Sequence, residues 1–168
     1  MKKIADVRTY VLEAPLSEPF WWSFNRADSR VGCLVEVICE DGTSGWGECF
    51  GPGNVAIANK SIVEKVIQPM VLGMDPLDKD VIWHKVYNLL RDHGQSGMPI
   101  QALSGVDIAL WDITGKISGL PLHNLVGGAH RTSVPCYGYG KMLRDEPSSS
   151  LASRFVEEAA RSKEMGFS

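Results

Sequence analysis

The chain has 168 residues, 44% of them hydrophobic and 22% charged, with a net charge of −3 at pH 7. This length suits one domain, or one domain plus part of another, and lets about 70% of the unfolded surface be buried without a disulfide or metal staple. The acidic balance argues against nucleic acid or an anionic membrane as the main partner, and no apolar run approaches the roughly 20 residues of a bilayer span.

In chain order, Lys3 to Leu12 alternates Ala5, Val7, Thr9 and Val11 against Ile4, Asp6, Arg8, Tyr10 and Leu12, the period of a strand. Lys2 and Lys3 are followed at once by Asp6 and Arg8, so no signal-peptide apolar region opens the chain. Between Pro15, Pro19 and a polar stretch stand Phe20, Trp21, Trp22 and Phe24, an aromatic density foreign to a solvent loop. Val31 to Glu40 reads as a second strand and Asp41-Gly42 as a hairpin turn. The third strand, Thr43 to about Cys49, alternates Gly45 and Gly47 with Trp46 and Glu48 before Gly51-Pro52-Gly53-Asn54 forces a loop.

Helices follow. Val55 to Val71 carries apolar residues at 55, 58, 62 and 66 and at 63, 67 and 70. Asp75-Pro76 predicts an N-cap and first helical residue for a helix to Arg91, with Ile82, Trp83, Val86, Tyr87 and Leu90 inward. His93 lies in a glycine-rich turn, as a capping or interface group. Ala102 to Ile117 is a helix with small residues at Ala102, Ser104, Gly105 and Ala109, which predicts close approach to another backbone. Asp112 and Lys116 form a favourable i,i+4 pair, and Asp107, inside an apolar helix, is expected to have buried partners. Gly119 and Pro121 end the helix. Ser133 to Tyr139 then reads as a new strand and Ser150 to Met165 as its helix, a single β/α unit. Strands first and helices after give an α+β fold: a three-stranded antiparallel meander, then a helical bundle.

Cys33, Cys39, Cys49 and Cys136 show no CxxC pair, and with the four histidines they lack zinc-ligand spacing. Reduced thiols in a cytoplasmic protein are the expectation.

The run Ala102, Ser104, Gly105, Asp107, Ala109, Leu110, Asp112, Gly115, Lys116, Pro121, Leu122, Leu125 and Gly127 resembles the first signature of the mandelate racemase/muconate lactonizing enzyme family of the enolase superfamily. Gly45-x-Gly47-Glu48 and Gly73-x-Asp75-Pro76 extend the likeness. The resemblance implies an enolase-like capping domain over 1–131 and, over 132–168, the first strand and helix of a modified (β/α)₇β barrel. The rest of that barrel, with its Lys-x-Lys base motif and metal-binding acids, is expected beyond Ser168, so the sequence reads as part of a longer enzyme with no catalytic or metal-ligating residue of its own. Family chemistry is removal of a proton α to a carboxylate, with Mg²⁺, bound by residues beyond Ser168, stabilising the enediolate.

By the same resemblance two loops, about Ser17–Val31 and Cys49–Val55, close the barrel mouth and choose the substrate. They nominate Trp21, Trp22, Asn25, Arg26 and Phe50 as substrate-binding, joined by Tyr139 at the end of the first barrel strand. The expected partner is a small-molecule carboxylate, and the assembly a homo-oligomer. An acid-sugar dehydratase is the leading expectation. A racemase/epimerase or cycloisomerase is the alternative, and a non-catalytic α+β assembly module the reading if the chain truly ends at 168.

Overall fold

In a computed structural model, residues 2–22, 25–137 and 148–167 are described. Strands β1 (Ile4–Trp22), β2 (Asn25–Cys39) and β3 (Ser44–Cys49) form one sheet in that order. The helices are α1 (Val55–Ile62), α2 (Gln68–Val71), α3 (Lys79–Leu90), α4 (Met98–Ser118), α5 (Leu122–Leu125) and α6 (Ser148–Glu164). The chain divides into two units: 1–14 with 30–129, and 15–29 with 130–168. No helix among the described residues is long and apolar enough to cross a membrane.

In the first unit, β2 and β3 pair antiparallel, Cys33 opposite Cys49, Val35 opposite Gly47 and Val37 opposite Gly45. The turn between them has Gly42 at φ +84, with the Cys39 N–H donating to Thr43 O and the Gly42 N–H to Cys39 O. The glycine thus supplies the left-handed residue of a short hairpin loop. Alternation then sorts the side chains. Cys33, Val35, Val37 and Cys39 face the helices and are buried, while Glu36 on the outer face accepts the Tyr10 hydroxyl at 2.8 Å. That hydrogen bond, then burial, raises the Tyr10 pKa. In β1 the parity shifts: Ile4 and Val7 are both buried and Ala5 is exposed, so the expected pairing of Ala5 with Val7 on one face fails. Asp6 marks the shift, its Oδ1 accepting the Val7 N–H.

The helices close over the sheet. Helix α4 lies on β3 with almost no side-chain spacer. A Cβ built on Gly47 would sit 2.0 Å from the Gly105 carbonyl oxygen, one on Gly45 2.2 Å from the Ala109 carbonyl oxygen, and one on Gly105 2.4 Å from Cys49 Sγ. Ala102, Leu103, Val106, Ala109, Leu110 and Ile113 fill the interface and the core behind it. Gly119 at φ +68 ends α4, and the Gly119 and Leu120 N–H groups both donate to Gly115 O.

Three expectations need correction. Strand β1 runs unbroken through Pro15, Pro19 and Phe20 to Trp22 and β2 begins at Asn25, so the described residues of the first expected loop lie in strands; β1 is an edge strand, where proline's missing N–H costs no ladder bond. Helix α3 begins at Lys79, because the Asp75 carboxylate accepts the Leu77 N–H and closes a local turn ahead of it. Between α1 and α2 a wider turn spans Val63–Ile67; Pro69 cannot donate to the carbonyl four residues back and crowds it. The buried stripe there is Ala56, Asn59, Val63, Ile67 and Val71; Val63 and Ile67 are as predicted, while the 55, 58, 62 and 66 set lies one residue off it.

In the second unit, α6 forms close to where its periodicity placed it. Residues 133–137, read as the start of a barrel strand, are not in a strand. A strand exists by pairing, and no neighbour among the described residues offers it.

The glycine contacts give the first prediction. Gly47→Ala should destabilise the protein by about 3 kcal/mol or more, because two backbones must separate. Gly42→Ala, where nothing lies within 4 Å, should cost only the left-handed backbone term of about 1–2 kcal/mol. Urea unfolding midpoints rank the two, and equal losses would refute the packing argument.

Candidate functional site

Two features carry the residues nominated for substrate contact, one in each unit. In the second unit, Trp21 near the end of β1 and Arg26 near the start of β2 are brought together, with Arg26 Cζ 5.0 Å from the centroid of the Trp21 ring. Arg26 Nε donates to Asp28 Oδ1 at 2.8 Å. The guanidinium is therefore held by an aromatic face and a carboxylate two residues on, a planar cation on a rigid platform. Trp22 closes β1 and Asn25 opens β2, but their side chains, like Tyr139 as a whole, lie outside the described residues.

In the first unit the feature is the corner between β3 and α1. Phe50 follows the last strand residue, and its side chain is 73% exposed. Its carbonyl turns inward and accepts Asn59 Nδ2 at 2.8 Å. Asn59 is fully buried, and Gln101 Oε1 stands 3.5 Å from the same nitrogen. Sequence reasoning missed Asn59; its place one turn before Val63 in the buried stripe was the available signal, hidden because a polar residue drops out of an apolar pattern.

Asp112 and Lys116, expected as a helix-surface pair, do more than that. Asp112 Oδ2 accepts the Trp46 N–H at 2.9 Å, and Lys116 Nζ donates to Ser44 O at 2.8 Å and to Asp112 Oδ2 at 2.8 Å. One acid and one base thus meet the N–H and C=O groups that an edge strand leaves open. An open groove of about 510 Å³ lies alongside, walled by Trp46, Ile108, Trp111, Leu120 and Leu122. Its charged groups, Asp112 and Lys116, are already bonded to each other and to β3, so they do not converge on a ligand as a binding pocket's polar groups do.

Electrostatics show what else the segment can contribute. Burial raises the thiols of Cys33 and Cys39 and pushes that of Cys49 up to about 12, so these buried sulfurs stay protonated and are poor nucleophiles. Burial also works to raise Glu64, but hydrogen bonds from Lys60 and Thr9 outweigh it and the carboxyl titrates below its usual range. Asp107 differs. It accepts no hydrogen bond and pairs with no cation among the described residues, which corrects the expectation of buried partners. Desolvation, reinforced by Asp80, raises its pKa, with Lys79 opposing. Among the described residues no three His, Cys, Asp or Glu side chains stand together as metal ligands, so these residues do not fit a divalent cation.

Comparison with known proteins follows the same outline. The family model described as "Mandelate racemase / muconate lactonizing enzyme, N-terminal domain" matches residues 5–127. The D-galactarolactone cycloisomerase of Agrobacterium fabrum is 45% identical over 160 residues, covering 94% of this chain and 41% of that protein. The L-talarate/galactarate dehydratase of Salmonella typhimurium is 42% identical over 109 residues, covering 62% of this chain and 26% of that one. Among solved structures, a mandelate racemase/muconate lactonizing protein from Paracoccus denitrificans, complexed with magnesium, superposes with a TM-score of 0.65 at 34% identity, over 82% of this chain and 33% of that one. The chain spans well under half the length of each of these relatives.

Asp107 gives a prediction with a definite sign. Its folded pKa lies above the ordinary 3.8, so the charged carboxylate is the destabilising form. Below that value both folded and unfolded states are protonated and no penalty exists; the penalty grows as pH rises through the raised folded value. Asp107→Asn should therefore melt higher than wild type at pH 7 and lose that advantage by about pH 3.5. Equal or lower melting at pH 7 would mean that the carboxylate has a stabilising partner.

Proposed function

The chain belongs to the mandelate racemase/muconate lactonizing enzyme family of the enolase superfamily, and from that premise we propose that it is the N-terminal part of a longer enzyme removing the proton α to the carboxylate of a sugar acid. The observation that carries the substrate class is the pair of relatives, both named for galactarate-related acids or lactones and both above 40% identity. Residues 1–131 act as the capping domain and 132–168 open the barrel. Mg²⁺, held by residues outside this segment, would stabilise the negative charge that develops on the carboxylate.

What this segment contributes is selection and exclusion of water. The Arg26 guanidinium, over the Trp21 ring at 5.0 Å, suits a carboxylate or vicinal hydroxyls of a polyhydroxy acid, and Trp21 offers a face to the C–H side of such a chain. Trp22, Asn25 and Tyr139 are proposed as further contacts. Phe50, exposed on a fixed backbone, supplies an apolar wall. Neither feature moves a proton. Both act by holding the substrate where a base can reach its α-carbon and by keeping water from the charge that forms.

Two outcomes are open to the enediolate. Loss of the β-hydroxyl, leaving as water with the abstracted proton, is dehydration; cycloisomerisation breaks and makes bonds within one molecule and conserves its mass. The resemblance to acid-sugar dehydratases, with 42% identity over 109 residues to one of them, supports dehydration, whereas identity of 45% over 160 residues to a cycloisomerase favours the second reading. Incubation of the complete enzyme with galactarate, galactonate and their lactones in D₂O separates them. Either reading requires loss of the α-hydrogen. In dehydration the enol product tautomerises, so the α-carbon becomes a carbonyl, solvent deuterium enters at the β-carbon and the product is lighter by one water. A product isomeric with the substrate, apart from any solvent deuterium, marks cycloisomerisation. Retention of the α-hydrogen with every one of these sugar acids and lactones would overturn the proposal.

The ribbon yields its own prediction. In the complete enzyme Arg26→Ala should lower kcat/KM at least about tenfold, since a hydrogen bond to a charged group is worth about 1.5–3 kcal/mol. Arg26 is exposed, so the melting temperature should hardly move. Unchanged kinetics on the true substrate would make the Trp21–Arg26 pair a surface contact only.

A further inference from the structure

Asn59 sits beneath the Phe50 corner as a wholly buried carboxamide with a divided hydrogen-bond account. Nδ2 donates to the Phe50 carbonyl at 2.8 Å, while Oδ1 is buried with no partner among the described residues. The corner is built around that side chain: a Cβ on Gly51 would lie 2.9 Å from Asn59 Nδ2 and 2.7 Å from Val55 Cγ1. For packing alone, a leucine of similar volume would fill the space without burying an unpaired Oδ1, but it would leave the Phe50 carbonyl without its donor, so burial of this amide turns on that carbonyl.

The reason lies one bond away. A carbonyl held inward fixes the peptide plane after Phe50, and with it the direction in which the Phe50 Cα–Cβ bond leaves the chain. Phe50 is the exposed side chain of this corner, and nothing else among the described residues hydrogen-bonds its carbonyl.

We propose that Asn59 is a positioning residue: its buried amide holds the Phe50 carbonyl and so sets where the Phe50 ring stands as a wall of the substrate site. This rests on the reading of Phe50 as a substrate contact, and the test separates the two. In the complete enzyme, Asn59→Leu should raise KM about tenfold with kcat changed by less than about twofold, and Phe50→Ala should do the same. The double variant Asn59→Leu with Phe50→Ala should match Phe50→Ala alone, because Asn59 acts only through that ring. Effects that multiply in the double variant would overturn the proposal and make Asn59 a structural residue. If Asn59→Leu does not fold, Asn59→Ser, too short to reach the carbonyl, takes its place in the same cycle. Should Phe50→Ala leave the kinetics unchanged, the substrate-contact reading fails, and amide exchange decides the positioning. Faster exchange confined to residues 50–54 in the Asn59 variant supports it; unchanged exchange there overturns it.

Discussion

The Gly47 Cα and the Gly105 carbonyl oxygen stand so close that no side chain fits between them. Everything else in the first unit is arranged around that contact. It exists because three glycines and two alanines, Gly45, Gly47, Gly105, Ala102 and Ala109, fall on facing surfaces of a strand and a helix. It brings α4 near enough for Asp112 and Lys116 to reach over the edge of β3 and bond its open N–H and C=O groups. A bulkier helix would stand farther off, and the same two side chains would then be an ordinary surface pair worth a few tenths of a kcal/mol.

The contact also explains why the corner after β3 is a fit place for a substrate wall. Cys49 is pinned by the close approach of Gly105, and the next residue, Phe50, is pinned through its carbonyl by Asn59. A rigid strand end on one side and a buried helix side chain on the other hold one exposed aromatic between them. The Trp21–Arg26 pair follows a different logic. It stands on a ribbon, with the cation braced by a ring and by Asp28, so its order comes from local side-chain contacts and not from a core. These are two ways of presenting a group: one fixed by the scaffold, the other by its neighbours.

Sequence reading succeeded where the signal was local. The α4 motif, its glycine stop, the Asp41-Gly42 turn and the need for close approach at Gly105 all follow from residue type and spacing. It failed where pairing or an exchange of partners decides. The family resemblance places Phe20 to Trp22 in a loop, and the two prolines before them hide the strand, yet an edge strand accepts proline. Asp75 looked like a cap but closes a turn on its own backbone. Residues 133–137 have strand composition, but no strand among the described residues pairs with them. Asn59 was invisible because hydrophobic periodicity counts only apolar residues, whereas its burial is justified by one carbonyl nine residues earlier. Of the nominated substrate residues, the sequence could say that Trp21 and Arg26 share a segment; that the cation lies on the ring is a fact of strand pairing.

The Trp46 amide tests the central claim most directly. On an edge strand that N–H would meet water and exchange within seconds to minutes; bonded to Asp112 beneath a helix that cannot slide away, it should exchange only when the unit unfolds. Native-state hydrogen exchange measured at increasing urea should place Trp46 with the amides of Val35 and Val37, at the same free energy and the same urea dependence. A Trp46 amide that opens with no urea dependence, well below the stability of the sheet, would show that α4 does not lock β3 and would contradict the account.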